Sequence, residues 1–365
     1  MPFSNIKSML WDLADEYRQP ISSPRNTPPR HSYQGHREDT EASPQRQVLR
    51  QTAQETLNVL PGLLNCLNSD HEAHKSKKLS SNSVRRLNPS DCPRFPSPAT
   101  IKVINDDTLN VAVRLYESAQ SRRIDISPQN PRPIIMNFAS HRKPGGGWLN
   151  GAMAQEESIC YRSSLALSLD TRDYPLALDE SIYSPYVLVM RSDLASGHTL
   201  LASPSSPPED LPVVSGITIA ALYRPAIRTL VLRDSQNQRR GSPHSHSSHH
   251  SSHHSSHHSS PSPSPSRRHT RQVFAREKDR KRTKSKMRQA LRIAGTNGHG
   301  MLVLGALGCG VYANPPAEVA QCWLEVLRES EFRGNWWREV CFAVYDPKNE
   351  GNFATFERVL AGKKV

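Results

Sequence analysis

Two stretches of this chain carry residue types whose spacing can do chemistry. The first is NFASHRKPGGGWLNGAMAQEES, residues 137–158. Gly145, Gly146 and Gly147 follow an apolar run. Glycines there let a backbone approach a ligand without Cβ interference and aim N–H groups at its oxygens. Seven residues separate Gly147 from Gln155, Glu156 and Glu157, which open an expected helix. Neighbouring carboxylates on a first helical turn can reach one ligand, and their repulsion tends to raise one pKa, as suits a general acid. The same residues also fit a plain flexible turn followed by acids that complement a helix dipole.

The second stretch is GALGCGVYANPP, residues 305–316. A strand, then glycines, then a helix N-terminus is a layout for holding a phosphate or diphosphate, because free N–H groups and the dipole favour an anion there. It departs from G-x-x-x-x-G-K-[ST], which excludes a nucleoside-triphosphatase reading. Tyr312 can stack on a sugar or base, or be an ordinary surface tyrosine. Cys309 lies near a helix N-terminus, which can lower a thiol pKa. With no suitably placed histidine, it is not expected to be a nucleophile.

The elements that must position these loops alternate between strand and helix. Leu49, Ala53, Leu57 and Leu60 predict an amphipathic helix over 46–60, ended at Pro61-Gly62. Residues 65–99 read as loop. Ile101–Ile104 is a short strand, Asp106 or Asp107 an N-cap, and Leu109, Ala112, Val113 and Tyr116 a helical stripe. Strands follow at 134–139, 186–190, 213–220, 301–304 and 340–345. Helices are expected from Gln155 to Leu169, near 284–294, over 316–327 and over 353–360. This alternation argues for an α/β layer fold with a mainly parallel or mixed sheet.

Composition limits how much of the chain can fold. The 365 residues include 29 prolines, and residues 242–266 are only Ser, His and Pro. Such text cannot bury enough apolar surface to offset chain entropy. The expectation is a disordered N-terminal segment, residues 1–45, with a short helix at 4–17, and a disordered insert over 235–285. The net charge of +13 resides mostly in residues 267–292, where twelve Lys/Arg face two acids. That run reads as a solvated tail, with a weak nucleic-acid contact as its other reading. The six cysteines form no C-x-x-C pair, so neither a disulfide framework nor a zinc site is expected. No apolar run approaches a membrane span and no signal-peptide core is seen, which predicts an intracellular protein.

The motif GGG, seven residues, then QEE resembles the signature of poly(ADP-ribose) glycohydrolases, and its surroundings resemble the bacterial-type branch. The similarity takes in PGGGWLNGAMAQEE, YRSS, YSPYVLV and LVLGALGCGVYANPPAEVA, and spans residues 46–362 apart from the insert. It implies a three-layer α/β/α macrodomain-like fold with a mixed central sheet. It also implies hydrolysis of ribose–ribose O-glycosidic bonds from chain ends, releasing ADP-ribose, with no cofactor. By that resemblance Glu157 is the catalytic acid and Glu156 orients ribose hydroxyls. Gly145–Gly147 form the distal-ribose loop, with Asn137 and Gln155 beside it. Gly308, Cys309, Gly310 and Val311 form the diphosphate loop, and Tyr312 stands where many relatives carry Phe beside the terminal ribose. Expected partners are poly(ADP-ribose) and ADP-ribosylated proteins, in the nucleus or cytoplasm, with a part in the DNA damage response. The alternatives are a hydrolase of mono-ADP-ribosylated protein or nucleic acid, and a non-catalytic ADP-ribose reader.

Overall fold

The computed structural model describes residues 43–124, 132–203, 206–232 and 269–365. The expected helix at 4–17, the Ser/His tract 242–266 and nearly all of the N-terminal segment lie outside them. The order of elements is α1 (Pro44–Cys66), β1 (Lys77–Ser80), β2 (Ile101–Ile104), α2 (Thr108–Ser121), β3 (Ile134–Phe138) and α3 (Gln155–Arg162). Then come β4 (Glu180–Leu188), β5 (Val213–Ile219), β6 (Ile227–Leu232), β7 (His269–Phe274), α4 (Glu277–Thr296), β8 (Met301–Gly305), α5 (Pro316–Leu327), β9 (Glu339–Ala343) and α6 (Asn352–Leu360).

Seven strands form one mixed sheet in the order β1-β4-β5-β3-β8-β9-β2. Pairing is parallel from β5 to β2 and antiparallel at β1–β4 and β4–β5. Strand alternation sends side chains to two covered faces, as an α/β layer fold requires. Ile134, Met136, Leu302 and Leu304 pack with Met287 and Leu291 of α4, Val319 and Trp323 of α5, and Phe356 of α6. Ile135 and Val303 point the other way, to Leu109 and Ala112 of α2 and Ile159 of α3. Helices on both faces make three layers, and the expected α/β/α architecture with a mixed sheet is borne out.

Several boundaries differ from expectation. Helix α1 runs through Pro61 to Cys66, because Leu60 and Leu64 share a face buried against Tyr186, Leu188 and Met190. That burial outweighs a single missing N–H. Helix α3 ends at Arg162 and gives way to a 3-10 segment, Ser164–Ser168. Residues 65–99 contain strand β1, and β4 begins at Glu180 rather than 186. The domain also exceeds the expected bounds of 46–362, since α1 starts at Pro44 and Lys364 bridges Thr100.

The largest correction concerns the insert expected over 235–285. Residues 269–274 form β7, which pairs along β6 from Ile227↔Phe274 to Leu232↔His269, and α4 starts at Glu277. Within the described residues, 269–292 of the basic run are therefore strand and helix rather than a tail. Arg280, Lys284, Arg288 and Arg292 recur every four residues and form one row. They meet Glu318, Glu325, Glu329 and Glu331 at 2.6–3.5 Å. Arg271 adds a pair to Glu318 at 2.8 Å. Apolar Phe274, Met287 and Leu291 are buried beneath this network. These cations neutralise carboxylates of the same domain, so the nucleic-acid reading of residues 267–292 gains no support. Among the described residues no helix is long and apolar enough to cross a membrane.

Candidate active site

The glycine loop after β3 is held by α1. Arg46 and Arg50 donate through Nε to the Asn150 carbonyl at 2.9 and 3.3 Å. Leu49 and Ala53 pack on Trp148 and Tyr161. The Tyr161 hydroxyl lies 2.8 Å from both the Trp148 and Ala152 carbonyls and ties the loop's two ends together. Gly146 has φ +58°, and a Cβ there would sit 2.3 Å from Glu157 Oε1. Only glycine fits both the backbone conformation and that approach.

Helix α3 presents the two glutamates and is anchored at its other end. Arg162 is almost fully buried and pairs with Asp107, while its NH2 donates to Asn110 Oδ1 at 2.7 Å. Asp107 also caps α2, accepting Leu109 N–H at 2.8 Å, and takes the Ser158 hydroxyl at 2.9 Å. The N-cap expectation therefore resolves to Asp107. Gln155 stitches α3 to β3, donating to the Met136 carbonyl at 2.7 Å and accepting Phe138 N–H at 2.8 Å.

The carboxylates differ in surroundings. Glu156 is 2% exposed; it accepts Ser140 N–H at 2.7 Å and Asn137 Nδ2 at 3.3 Å. Burial, reinforced by the neighbouring Glu157, pushes its carboxyl up to about 8 despite those donors. Glu157 accepts Gly147 N–H through Oε1 at 2.8 Å. Asn137 is fully buried and also donates to Thr218 Oγ1 at 3.2 Å, and its Oδ1 has no hydrogen-bond partner.

The second loop follows β8. Gly308 has φ +74°, and an added Cβ would meet Ala221 Cβ and Asn314 Nδ2 at 2.5 Å. Asn314 is buried and holds the turn, donating to the Leu222, Gly308 and Tyr312 carbonyls at 2.7–3.2 Å. Cys309 turns inward, and burial pushes its thiol well up rather than down, contrary to the helix-terminus argument. Helix α5 begins at Pro316 just beyond.

Both loops line one open cavity of about 340 Å³. Of the residues singled out in the sequence, Gly146, Gly147, Gln155, Glu156, Glu157, Gly308, Gly310, Val311 and Tyr312 line it. Asn137, Gly145 and Cys309 lie behind that lining. Sequence reasoning missed Phe138, Ala139, Ser140, Lys143, Ala154, Ala221 and Ala306. Ser140 offers Glu156 its backbone N–H, a role with no side-chain signature, and Ala221 matters by its smallness. Asn314 was the legible omission, since Asn just before two prolines marks a turn. No cluster of His, Cys, Asp and Glu able to hold a metal occurs among the described residues.

Residues 53–192 match the family described as Microbial-type PARG, catalytic domain. Among solved structures, the fold is similar to poly(ADP-ribose) glycohydrolase from Thermomonospora curvata, with 24% identity and a TM-score of 0.59. That match covers 86% of this chain and 100% of the other. The same enzyme bound to the inhibitor ADP-HPD matches with 24% identity, a TM-score of 0.57, and coverage of 86% and 99%. Poly(ADP-ribose) glycohydrolase from Deinococcus radiodurans in complex with ADP-ribose matches with 25% identity and a TM-score of 0.54, covering 80% of this chain and 95% of that one. No curated protein matches the sequence.

Proposed function

We propose that this chain, whose residues 53–192 match the microbial-type poly(ADP-ribose) glycohydrolase catalytic domain, hydrolyses ribose–ribose O-glycosidic bonds of poly(ADP-ribose) from chain ends and releases ADP-ribose. The observation that carries the reading is the single cavity lined at once by Glu156, Glu157 and the glycine loop after β8. An acid pair and an anion-binding turn that face the same space suit a substrate with a diphosphate and a scissile ribose.

In this reading the diphosphate rests on the backbone of Gly308, Cys309, Gly310 and Val311, at the N-terminal side of α5. The terminal ribose lies over Gly145–Gly147, with Tyr312 against it. Asn137 and Gln155 brace the strand and helix that carry the glutamates. Burial of Glu156 favours the protonated form of its carboxyl at neutral pH, which suits a group that hydrogen-bonds ribose hydroxyls. Glu157, which the glycine loop holds through the Gly147 N–H, gives a proton to the departing ribose oxygen as the C–O bond breaks and positive charge develops on the ribose. Water then adds to that carbon and returns a proton to Glu157. Glu156 orients the ribose hydroxyls. The scheme calls on one acid/base carboxyl, unlike the paired acid and nucleophile of most glycosidases.

The proposed partners are poly(ADP-ribose) and ADP-ribosylated proteins. The proposed setting is intracellular, in the nucleus or cytoplasm, where removal of ADP-ribose serves the DNA damage response. The direct test incubates the purified chain with poly(ADP-ribose) and, separately, with mono-ADP-ribosylated protein. Free ADP-ribose released from the polymer is expected. Release from the mono-modified protein alone would move the substrate assignment, and binding without release would make the chain a reader.

A further inference from the structure

A tyrosine with no role so far stands at the mouth of the pocket, at the end where the glutamates sit. Glu156 Oε2 accepts the Ser140 N–H at 2.7 Å. The next residue, His141, brings Nδ1 and its backbone N–H to within 3.2 and 3.3 Å of the Tyr312 hydroxyl. Tyr223 packs edge-on against Tyr312, with centroids 5.1 Å apart and planes at 88°, and lies 6.2 Å from the His141 ring. The three rings form one cluster that begins beside the carboxylates and ends at the surface, where Tyr223 is 52% exposed.

Tyr223 is fixed in place. Arg224 adopts the left-handed region at φ +45° and donates its N–H to the Tyr312 carbonyl at 2.9 Å, which binds this segment to the pocket rim. Its guanidinium lies 5.5 Å from the Tyr223 ring centroid. The arginine is exposed and makes no ion pair among the described residues. A half-exposed aromatic ring, flanked by a guanidinium that makes no ion pair among the described residues, suits a purine nucleotide, the base stacking on the ring's exposed part and the phosphate meeting the cation.

The bond cut in the proposed reaction joins the terminal ribose to the adenosine ribose of the next unit. The group leaving past Glu157 therefore carries an adenine on its own sugar ring and a diphosphate on the far side of that sugar. We infer that Tyr223 is the stacking platform for the adenine of the leaving ADP-ribose unit, with Arg224 beside it to meet that unit's diphosphate. This rests on the glycohydrolase reading above and deepens it, because it ties this site to a polymer rather than to a single ADP-ribose group.

The test compares the full chain with Tyr223→Ala and Tyr223→Phe on poly(ADP-ribose), with calorimetric titration of ADP-ribose and a melting curve for each. Loss of one base–aromatic stack is expected to raise KM for the polymer roughly tenfold in Tyr223→Ala, with kcat within about twofold. Tyr223→Phe, which keeps the ring, is expected to restore wild-type KM. ADP-ribose affinity is expected to stay level in both, since ADP-ribose lacks the leaving unit. An unchanged polymer KM in Tyr223→Ala would overturn the inference. So would a parallel loss of ADP-ribose affinity, which would make Tyr223 a mere prop for Tyr312. Wild-type protein that releases no ADP-ribose at all would overturn the glycohydrolase reading itself, whereas a failure confined to the Tyr223 variants removes the platform alone.

Discussion

Replacing Gly146 with alanine probes how closely the glycine loop sets Glu157, the proposed acid. The backbone sits at φ +58°, so any Cβ costs about 1–2 kcal/mol in conformational strain. That Cβ would lie 2.3 Å from Glu157 Oε1 and 3.0 Å from Glu156 Oε2, where ordinary contact begins near 3.4 Å. The Glu157 carboxylate must then retreat by about 1 Å, away from the Gly147 N–H that now reaches it at 2.8 Å. Loss of that hydrogen bond adds roughly 0.5–1.5 kcal/mol. A displacement of that size at a reacting group lowers turnover about a hundredfold. The assay is ADP-ribose release from poly(ADP-ribose) at saturating substrate, alongside thermal melting, with Gly310→Ala as control. A Cβ at Gly310 meets nothing within 4 Å, so that control is expected to match wild type in stability. A folded Gly146→Ala protein with undiminished turnover would refute the reasoning.

Gly310→Glu is expected to leave the melting temperature nearly unchanged, because the site has open space, yet to weaken ADP-ribose binding measured by calorimetry, since a carboxylate would repel the diphosphate. Asp107→Ala removes the α2 cap and leaves Arg162 buried without its partner, which is expected to cost about 3–5 kcal/mol in denaturant unfolding. The Glu156 carboxyl is raised from 4.5 to about 8, so the folded form binds the extra proton between those values and stability declines as pH rises through that window. His299, whose imidazole burial pushes down to about 4, acts in the opposite sense below 6.5. The Glu156 effect is therefore read from pH 6.5 to 8, where Glu156→Gln is expected to remove a slope of up to about 1.4 kcal/mol per pH unit.

The elements legible in the sequence were those with a strong period or a strong stop. Helix α5 was read with its observed ends because Pro316 starts it and Val319, Ala320, Trp323, Leu324 and Leu327 make its stripe. Asp107 was one of two N-cap choices because only short polar side chains cap a helix so readily. Helix α4 was read short because its first turns are charged on all sides. Their order comes from glutamates some forty residues away on and after α5, a tertiary fact that local pattern does not carry. The four-residue spacing of Arg280, Lys284, Arg288 and Arg292 was the available hint. Strands β6 and β7 were missed because they pair only with each other across the Ser/His tract.

Much the same division holds at the site. The glycines and glutamates were visible because residue type alone limits what they can do: a positive φ, a close approach, a proton. That burial would raise the Glu156 carboxyl was not visible. That follows from the depth to which α3 sinks Glu156 beneath β3, 2% exposed against 9% for Glu157. The pocket's alanines, Ala139, Ala154, Ala221 and Ala306, left no trace in the sequence because their contribution is the space they leave.

The central claim is that Glu157 delivers the proton in a glycohydrolase reaction, and Glu157→Gln tests it most directly. The amide keeps the shape of the side chain but has no acid proton to give. The variant is expected to bind ADP-ribose with near wild-type affinity in calorimetry and to release no ADP-ribose from poly(ADP-ribose). Release at the wild-type rate would contradict the account.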